Sequence, residues 1–390
     1  WEIYDRTHDE FVLGLMGLAR ALPVIALTLP AGTVVDRSDR KLVLSITQYA
    51  FAGIALALAV TSASTAALWI FFALLIVSGC VRSFNAPSRG ALLPSLMPPE
   101  RFENAIAWQS GLFQFAAIAG PLAAGQIIAM TGAAWPVYAT TALLCLCAGT
   151  AALFLTPRPV VRTSAPPRFR DMLVGARHIW REKTILGALT LDLLAVLFGG
   201  ATALLPVYAD MLEVGPLGLG ALRAAPYVGA FLMAIWLAAR PSFRHAGAAL
   251  LWSVAGFGVS IIVFGLSEWL WLSLLALAVG GALDNVSVVI RHMLVQLRTP
   301  DEMRGRTTAV NTVFIESSNE LGAFESGLVA KMFGPVASVV SGGFGTLAVV
   351  AFVALAFPDL RRMRRLVETK DDVRHAEVEE EEHRGMGTQG

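Results

Sequence analysis

Long apolar segments recur along almost the whole chain. Eleven of them approach or exceed the ~20 residues that an α-helix needs to cross a bilayer; by residue number they are 11–32, 42–61, 67–88, 102–130, 133–155, 184–211, 217–239, 246–266, 269–295, 307–333 and 336–357. Apolar residues make up 56% of the 390 residues, charged residues only 15%, and the mean hydropathy is +0.64. Such values exclude a soluble globular domain. The sequence therefore predicts an all-α membrane protein of many spans.

A short segment occurs once in each half of the chain. Residues 17–23 read GLARALP, and residues 220–226, 203 positions later, read GALRAAP. At an offset of 202, Arg89 matches Arg291 and Gly125 matches Gly327. The repeat predicts two pseudo-symmetric six-helix bundles in parallel register. Because the first visible helix matches the seventh, we expect eleven visible spans and a missing first helix that would have ended near Trp1.

The expected organisation follows from these segments. Residues 1–156 form the first half-bundle, 157–183 a linker, 184–357 the second half-bundle and 358–390 a tail. The linker is polar but carries apolar residues at helical spacing, which predicts an amphipathic helix lying on the membrane surface. A regulatory docking role for this helix stays open. The tail contains four consecutive glutamates and is expected to be disordered.

Positive charge is concentrated on one side of the predicted bundle. All but four of the 30 Lys and Arg residues fall in alternate connections or in the tail; the exceptions are Arg6, Arg20, Arg223 and Lys331. Connections rich in Lys and Arg face the cytoplasm. We therefore expect a multi-pass protein of the cytoplasmic (inner or plasma) membrane with a cytoplasmic C-terminus.

Arg20 and Arg223 occupy matching positions inside apolar segments. Arg20 lies ten residues beyond Glu10, which corresponds to ~15 Å along a helix and to about the middle of a bilayer. A charged side chain at that depth costs at least ~2.5 kcal/mol and usually faces the bundle interior or a water-filled cavity. The two arginines predict a shared polar pocket; a purely structural pairing is the open alternative.

Residues 32–41, GTVVDRSDRK, resemble the loop motif of the major facilitator superfamily. The matching residues are Gly32, Asp36, Arg37, Arg40 and Lys41, whereas Asp39 replaces a glycine of the motif. The resemblance implies that this cluster closes the cytoplasmic side and separates in the inward-open state. We expect Gly32 to allow close helix approach and Asp36 to accept backbone N–H groups at a helix N-terminus. Ordinary positive-inside charge is the alternative interpretation.

A second motif and three longer segments narrow the resemblance. Gly120, Pro121 and Gly125 lie in AGPLAAG, which resembles the antiporter motif of the same superfamily. The segments 217–230, 299–306 and 318–327 resemble the branch of siderophore exporters and macrolide-efflux proteins, often labelled transmembrane secretion effectors. The resemblance implies the major-facilitator fold and secondary active transport by alternating access.

Acidic residues inside the spans are the candidates for coupling transport to protons. The spacing i, i+3, i+4 places Glu316, Asn319 and Glu320 on one helix face. We hypothesise that Glu316 and Glu320 line the central cavity and take up a proton, while the two mid-membrane arginines supply countercharge or bind an anionic substrate group. A role limited to holding the bundle together is the alternative.

The remaining candidates are less specific. Asp192 is a further candidate for the pathway, and Asp284 is interpreted as part of a structural interhelical pair. Tyr227 and Phe231 follow Arg223 by about one and two helical turns and are candidate substrate contacts.

The predicted function is proton-coupled efflux of small amphipathic organic molecules such as siderophores, macrolides or drugs. An uptake or symport carrier on the same fold, and a non-transporting assembly or signalling partner, are the alternatives. The sequence shows no phosphate-binding loop, no Ser/His/Asp set and no metal-ligand spacing, so we expect neither an enzyme nor a cofactor or metal. The expected partners are the lipid bilayer, a small-molecule substrate and protons but no nucleic acid, and we expect a monomer.

Overall fold

A computed structural model describes residues 1–64, 67–98, 101–157, 177, 179–240, 243 and 245–363. Within these ranges the side chains of some helical residues, among them Asp36 and Glu316, lie outside the described set. The predicted linker helix and the tail also lie mostly outside the described residues.

The described part is built from helices joined by short connections. The first half contains α1 to α6, at Glu2–Thr7, Glu10–Arg37, Arg40–Ala63, Leu68–Leu96, Phe102–Thr131 and Trp135–Leu153. The second half contains α7 to α14, at Lys183–Phe198, Leu205–Met211, Gly215–Ala238, Ala246–Gly265, Leu270–Arg298, Asp301–Phe333, Pro335–Ala356 and Pro358–Arg362, with a 3-10 helix at Ala201–Leu204. Among the described residues, ten stretches are long and apolar enough to cross a membrane. The predicted all-α membrane fold is confirmed.

The tenth predicted span, 307–333, corresponds to α12, which is not among those ten stretches and differs from them in composition. Its 33 residues include several acidic and basic side chains, and these keep its mean hydropathy low although it is longer than its neighbours. It packs against α2, α7 and α13. Helix α12 is thus a polar helix inside an apolar bundle, and such helices line cavities rather than face lipid.

The predicted span at 184–211 is interrupted in its middle. Helix α7 ends at Phe198, the 3-10 helix follows, and α8 starts with Pro206 in its first turn. Gly199 and Gly200 favour the break because they lack a side chain, and proline cannot donate to the preceding turn. At the break, Gly200 packs against the backbone of Gly322 in α12.

The internal repeat is visible in how helices cross within each half. Gly79 of α4 packs on the backbone oxygen of Arg20. A Cβ atom built on Gly79 would lie 3.2 Å from the side chain of Pro23. In the second half, Gly281 of α11 packs on Pro226 of α9 in the same way. Pro226 matches Pro23 in the repeat. Each mid-membrane arginine therefore precedes an equivalent close crossing.

Two pairs of helices join the halves, α2 with α12 and α5 with α9. We call the side where α2 and α11 end, at Arg37 and Arg298, the basic side, and the other the opposite side. The close approaches of α2 to α12 at Gly14 and Gly17 lie in the part of α2 that is nearer the opposite side.

Candidate functional site

A cavity of about 780 Å³ lies between the two halves. It is lined by α2 and α5 of the first half and by residues from α7 to α12 of the second. Its walls are mostly apolar, but Arg20, Arg223, Asp284 and Glu320 all contribute to the lining. An apolar cavity with a few fixed charges is the usual form of a small-molecule site.

Arg20 and Glu320 form an ion pair across the two halves. The Nη2 atom of Arg20 lies 3.9 Å from Oε1 of Glu320, and the side chains are 43% and 16% exposed. The pair joins α2 to α12 near Gly17, which lets the two helices approach closely. A Cβ atom built on Gly17 would lie 2.9 Å from the backbone oxygen of Glu320. A contact between halves is one that a change of conformation can break.

Arg223 is the counterpart of Arg20 in the second half. It lines the same cavity and, among the described residues, forms no ion pair. The guanidinium of Arg20 lies close enough to repel it electrostatically. Arg223 therefore offers an uncompensated positive charge to a ligand in the cavity.

The structure brings some of the predicted site residues together and leaves others apart. Asn319 and Tyr227 line the cavity with the two arginines, whereas Phe231, 41% exposed, is not part of the described lining. Asp192 is buried and pairs with Arg291 of α11, and neither residue is part of the described lining. The side chain of Glu316 lies outside the described set.

Sequence reasoning missed the place of Asp284 and Asn285 in the cavity lining. The sequence favours a structural pair for Asp284, yet no ion pair or hydrogen bond to its side chain is seen among the described residues. The signal that could have revealed both is helical spacing, since Leu277, Gly281 and Val288 lie on the same face of α11 and also line the cavity.

Two glycine contacts hold the halves together toward the opposite side. Gly327 of α12 approaches Gly14 of α2, and its virtual Cβ lies 2.7 Å from the Cα of Gly14. Gly125 of α5 approaches α9 at Leu217 and Gly220, with 3.3 Å to the Cα of each. Gly125 matches Gly327 in the repeat. Gly125 and Pro121 of the predicted antiporter-like motif thus belong to one of two equivalent seams, whereas no described group lies within 4 Å of the Cβ position of Gly120.

Asp9 and Lys331 form an ion pair at the outer end of the first seam. Lys331 Nζ donates to Asp9 Oδ2 at 2.8 Å, and Asp9 also caps α2 by accepting from the backbone N–H of Phe11. The hydrogen bond from Lys331 lowers the pKa of the Asp9 carboxyl. The charged form of this carboxyl therefore favours contact between the halves.

The basic-side motif is mostly helical rather than a loop. Helix α2 continues to Arg37, and Asp39, which replaces the motif's glycine, caps α3 by accepting from the N–H groups of Lys41 and Leu42. Lys41 Nζ donates to the carbonyl of Leu153 near the end of α6 at 3.3 Å, where a cation is favoured by the helix dipole.

Gly32 of the motif does not make the contact expected of it among the described residues. None of them lies within 4 Å of its Cβ position, so no close helix approach is seen there in this conformation. Arg37 is exposed, whereas Arg40 contacts another group of the protein. The role expected of Asp36 stays a prediction, because its side chain lies outside the described set.

These features define a membrane transporter built from two similar halves around a shared cavity. Residues 2–323 match the profile of the Major Facilitator Superfamily, and the chain belongs to this family. The family is one of transporters and not of enzymes.

The curated relatives include exporters. The chain is 26% identical over 376 residues to the enterobactin exporter EntS of Shigella boydii serotype 4 (strain Sb227), with 93% of this chain and 88% of the relative covered. The same values hold for the enterobactin exporter EntS of Escherichia coli O81 (strain ED1a).

Solved structures share the fold at lower identity. A bacterial homologue of the human lysosomal transporter Spinster, in an inward-facing and occupied conformation, matches with a TM-score of 0.68 at 14% identity, covering 94% of this chain and 93% of that one. The xylose transporter XylE from E. coli, in an inward-open conformation, matches with a TM-score of 0.66 at 14% identity, covering 88% and 86%.

Proposed function

We propose that this protein is a proton-coupled exporter that moves small amphipathic organic molecules across the cytoplasmic membrane by alternating access. The observation that carries the proposal is the charged cavity between the halves, with the Arg20–Glu320 ion pair joining them. In this proposal the basic side and the C-terminus face the cytoplasm. The enterobactin exporters among the relatives support the direction of transport.

Contacts between the halves support an inward-open state. The glycine seams and the Asp9–Lys331 pair lie toward the opposite side, whereas no described group lies within 4 Å of the Cβ position of Gly32, toward the basic side. Transport to the other side requires these seams to separate and the motif of residues 32–41 to close. The repeat supports this change because it places the two seams at matching positions of the halves, so that both can separate together.

The Arg20–Glu320 pair supports a route for proton coupling. A proton on Glu320 removes its negative charge and weakens the attraction to Arg20. Because the pair spans the halves, protonation would be linked to their separation, and Arg20 would then be available to a substrate anion together with Arg223. Glu316, one turn before Glu320 on α12, is proposed as a second proton acceptor.

Transport in membrane vesicles tests the proposal. Inverted vesicles containing the full-length protein, with an imposed pH gradient, would be offered enterobactin, erythromycin and a panel of drug-like cations. We expect gradient-driven accumulation of at least one compound and its loss in Glu320→Gln. Glu325→Gln is the matched control, because Glu325 lies on the same helix but not in the described cavity lining.

The outcomes separate the alternatives. Accumulation in right-side-out vesicles instead would indicate an uptake carrier. Unchanged transport in both Glu316→Gln and Glu320→Gln would contradict the proposed coupling route, and absence of transport of every compound in both orientations would contradict the proposed function.

A further inference from the structure

Two side chains of α11 with acceptor oxygens contribute to the cavity wall, and neither oxygen group has a donor among the described residues. Asp284 and Asn285 both belong to the lining, and the Oδ1 atom of Asn285 is buried with no hydrogen-bond partner among the described residues. Within the same part of the chain, no ion pair or hydrogen bond to the carboxyl of Asp284 is seen either. Buried polar atoms in proteins nearly always have a partner, so adjacent acceptors without one point to a group supplied from outside the chain.

The described arginines in and near the cavity, Arg20, Arg223 and Arg291, do not pair with this carboxyl. Arg20 is engaged with Glu320, and Arg291, two turns further along α11, is paired with Asp192. Arg223 precedes Pro226 by one turn, whereas Asp284 follows Gly281 by one turn, and Pro226 and Gly281 mark the crossing of α9 and α11. Both helices run from the opposite side to the basic side. The two charges therefore lie on different sides of the crossing, separated by ~9 Å along the helices.

The surroundings of the two acceptors are apolar. Leu277 and Val288 lie on the same face of α11, and Phe257 and Ile261 of α10 complete that wall of the cavity. The described part of α10 carries no charged side chain. A ligand that satisfies this wall must combine N–H donors and positive charge with an apolar body.

We infer that Asp284 and Asn285 form a subsite for the protonated amine of an amphipathic substrate. The carboxylate supplies the countercharge, and the amide oxygen accepts a second N–H of the same ammonium group. The apolar wall holds the attached hydrocarbon or aromatic part. This inference rests on the proposed transport function and adds a substrate class to it, namely organic amines, with Arg223 left for any acidic group on the same molecule.

A matched pair of probes tests the subsite. Dansylcadaverine is a fluorescent amphipathic amine, and its N-acetyl derivative has nearly the same shape without the positive charge. Binding of each to the purified full-length protein in lipid nanodiscs would be measured by fluorescence. We expect the amine to bind tighter by about tenfold or more, the usual effect of a hydrogen-bonded charge.

Variants assign the preference to these residues. Asp284→Asn should abolish the preference for the amine, Asp284→Glu should retain most of it, and Asn285→Ala should reduce it by a smaller factor. Glu325→Gln should bind like the parent protein. Thermal unfolding of each variant shows whether it is folded, and Asn285→Ala and Asp284→Glu keep the test valid should Asp284→Asn fail to fold.

Each outcome of the binding experiment decides for or against the subsite. Equal binding of the two probes by the parent protein, no binding of either, or an unchanged preference in Asp284→Asn would overturn it. Gradient-driven transport of enterobactin or erythromycin in those cases would leave the proposed function standing, so the two failures are distinguishable.

Discussion

The ammonium of Lys331 lies 2.8 Å from a carboxylate oxygen of Asp9, and this contact ties the last turn of α12 to the start of α2. The contact belongs to the same seam as Gly14 and Gly327, so it is made only while the halves touch on the opposite side. Both side chains are partly exposed, which limits its strength.

Asp9→Asn should therefore shift the protein modestly toward the state that is open on the opposite side. Asparagine still caps α2, so the change removes the ion pair and spares the cap. We expect a change of roughly two- to fivefold in the ratio of the two states. Spin labels at Ser64 and Leu266, exposed ends of α3 and α10 on that side, would report a longer distance. Lys331→Gln removes the same ion pair from its other end and should give the same shift; no shift in either single variant would contradict the pairing.

The same pair predicts a defined response to pH. The pKa of Asp9 is lowered by Lys331, so the contact contributes fully above the ordinary carboxyl pKa of ~3.9 and is lost as the pH falls through the lowered value. We expect the Ser64–Leu266 distance of the double variant Glu316→Gln/Glu320→Gln, which lacks both proposed proton acceptors of α12, to stay constant across the neutral range. An opening of that variant between about pH 5 and pH 8 would show that another group controls this side.

The glycine seams predict a larger effect than the ion pair. A Cβ at Gly327 would lie 2.7 Å from the Cα and N atoms of Gly14, so Gly327→Val must push α12 away from α2. We expect the variant to destabilise the state with the closed seam by about 1 to 3 kcal/mol. The distance between the spin labels at Ser64 and Leu266 should increase clearly. Gly125→Val should act alike in the equivalent seam. Gly53→Val is the matched control, because Gly53 lies within α3 with open space around its Cβ position. Equal effects of all three variants would argue against the seams.

The buried pair of Asp192 and Arg291 predicts a loss of stability rather than a specific loss of coupling. Asp192→Asn leaves a buried guanidinium without its countercharge, at a cost of about 3 to 5 kcal/mol. Thermal unfolding in detergent would show the loss. Replacing both residues with Leu and Met should recover much of the stability and also transport. Recovery of stability without transport would instead assign Asp192 to the proton or substrate pathway.

Much of the fold was predictable because its signals are local. The length and composition of apolar segments fix where spanning helices lie, and the repeat at offsets of 202 and 203 fixes the two-fold design. Arg20 and Arg223 stand out in the sequence for the same reason: a charge in the middle of an apolar segment needs a polar environment. The structure places both in one cavity with Glu320.

The tertiary structure decided which charges meet. Asp192 and Asp284 look alike in sequence, as single carboxylates in apolar helices, yet one pairs with Arg291 in the core and the other faces the cavity. Helical spacing defines the faces of a helix but not the rotation of the helix about its axis, which depends on neighbours distant in the chain. The sequence by itself determined which segments form helices and that they are duplicated; only packing between helices determined the partners, because those contacts join residues far apart in the chain.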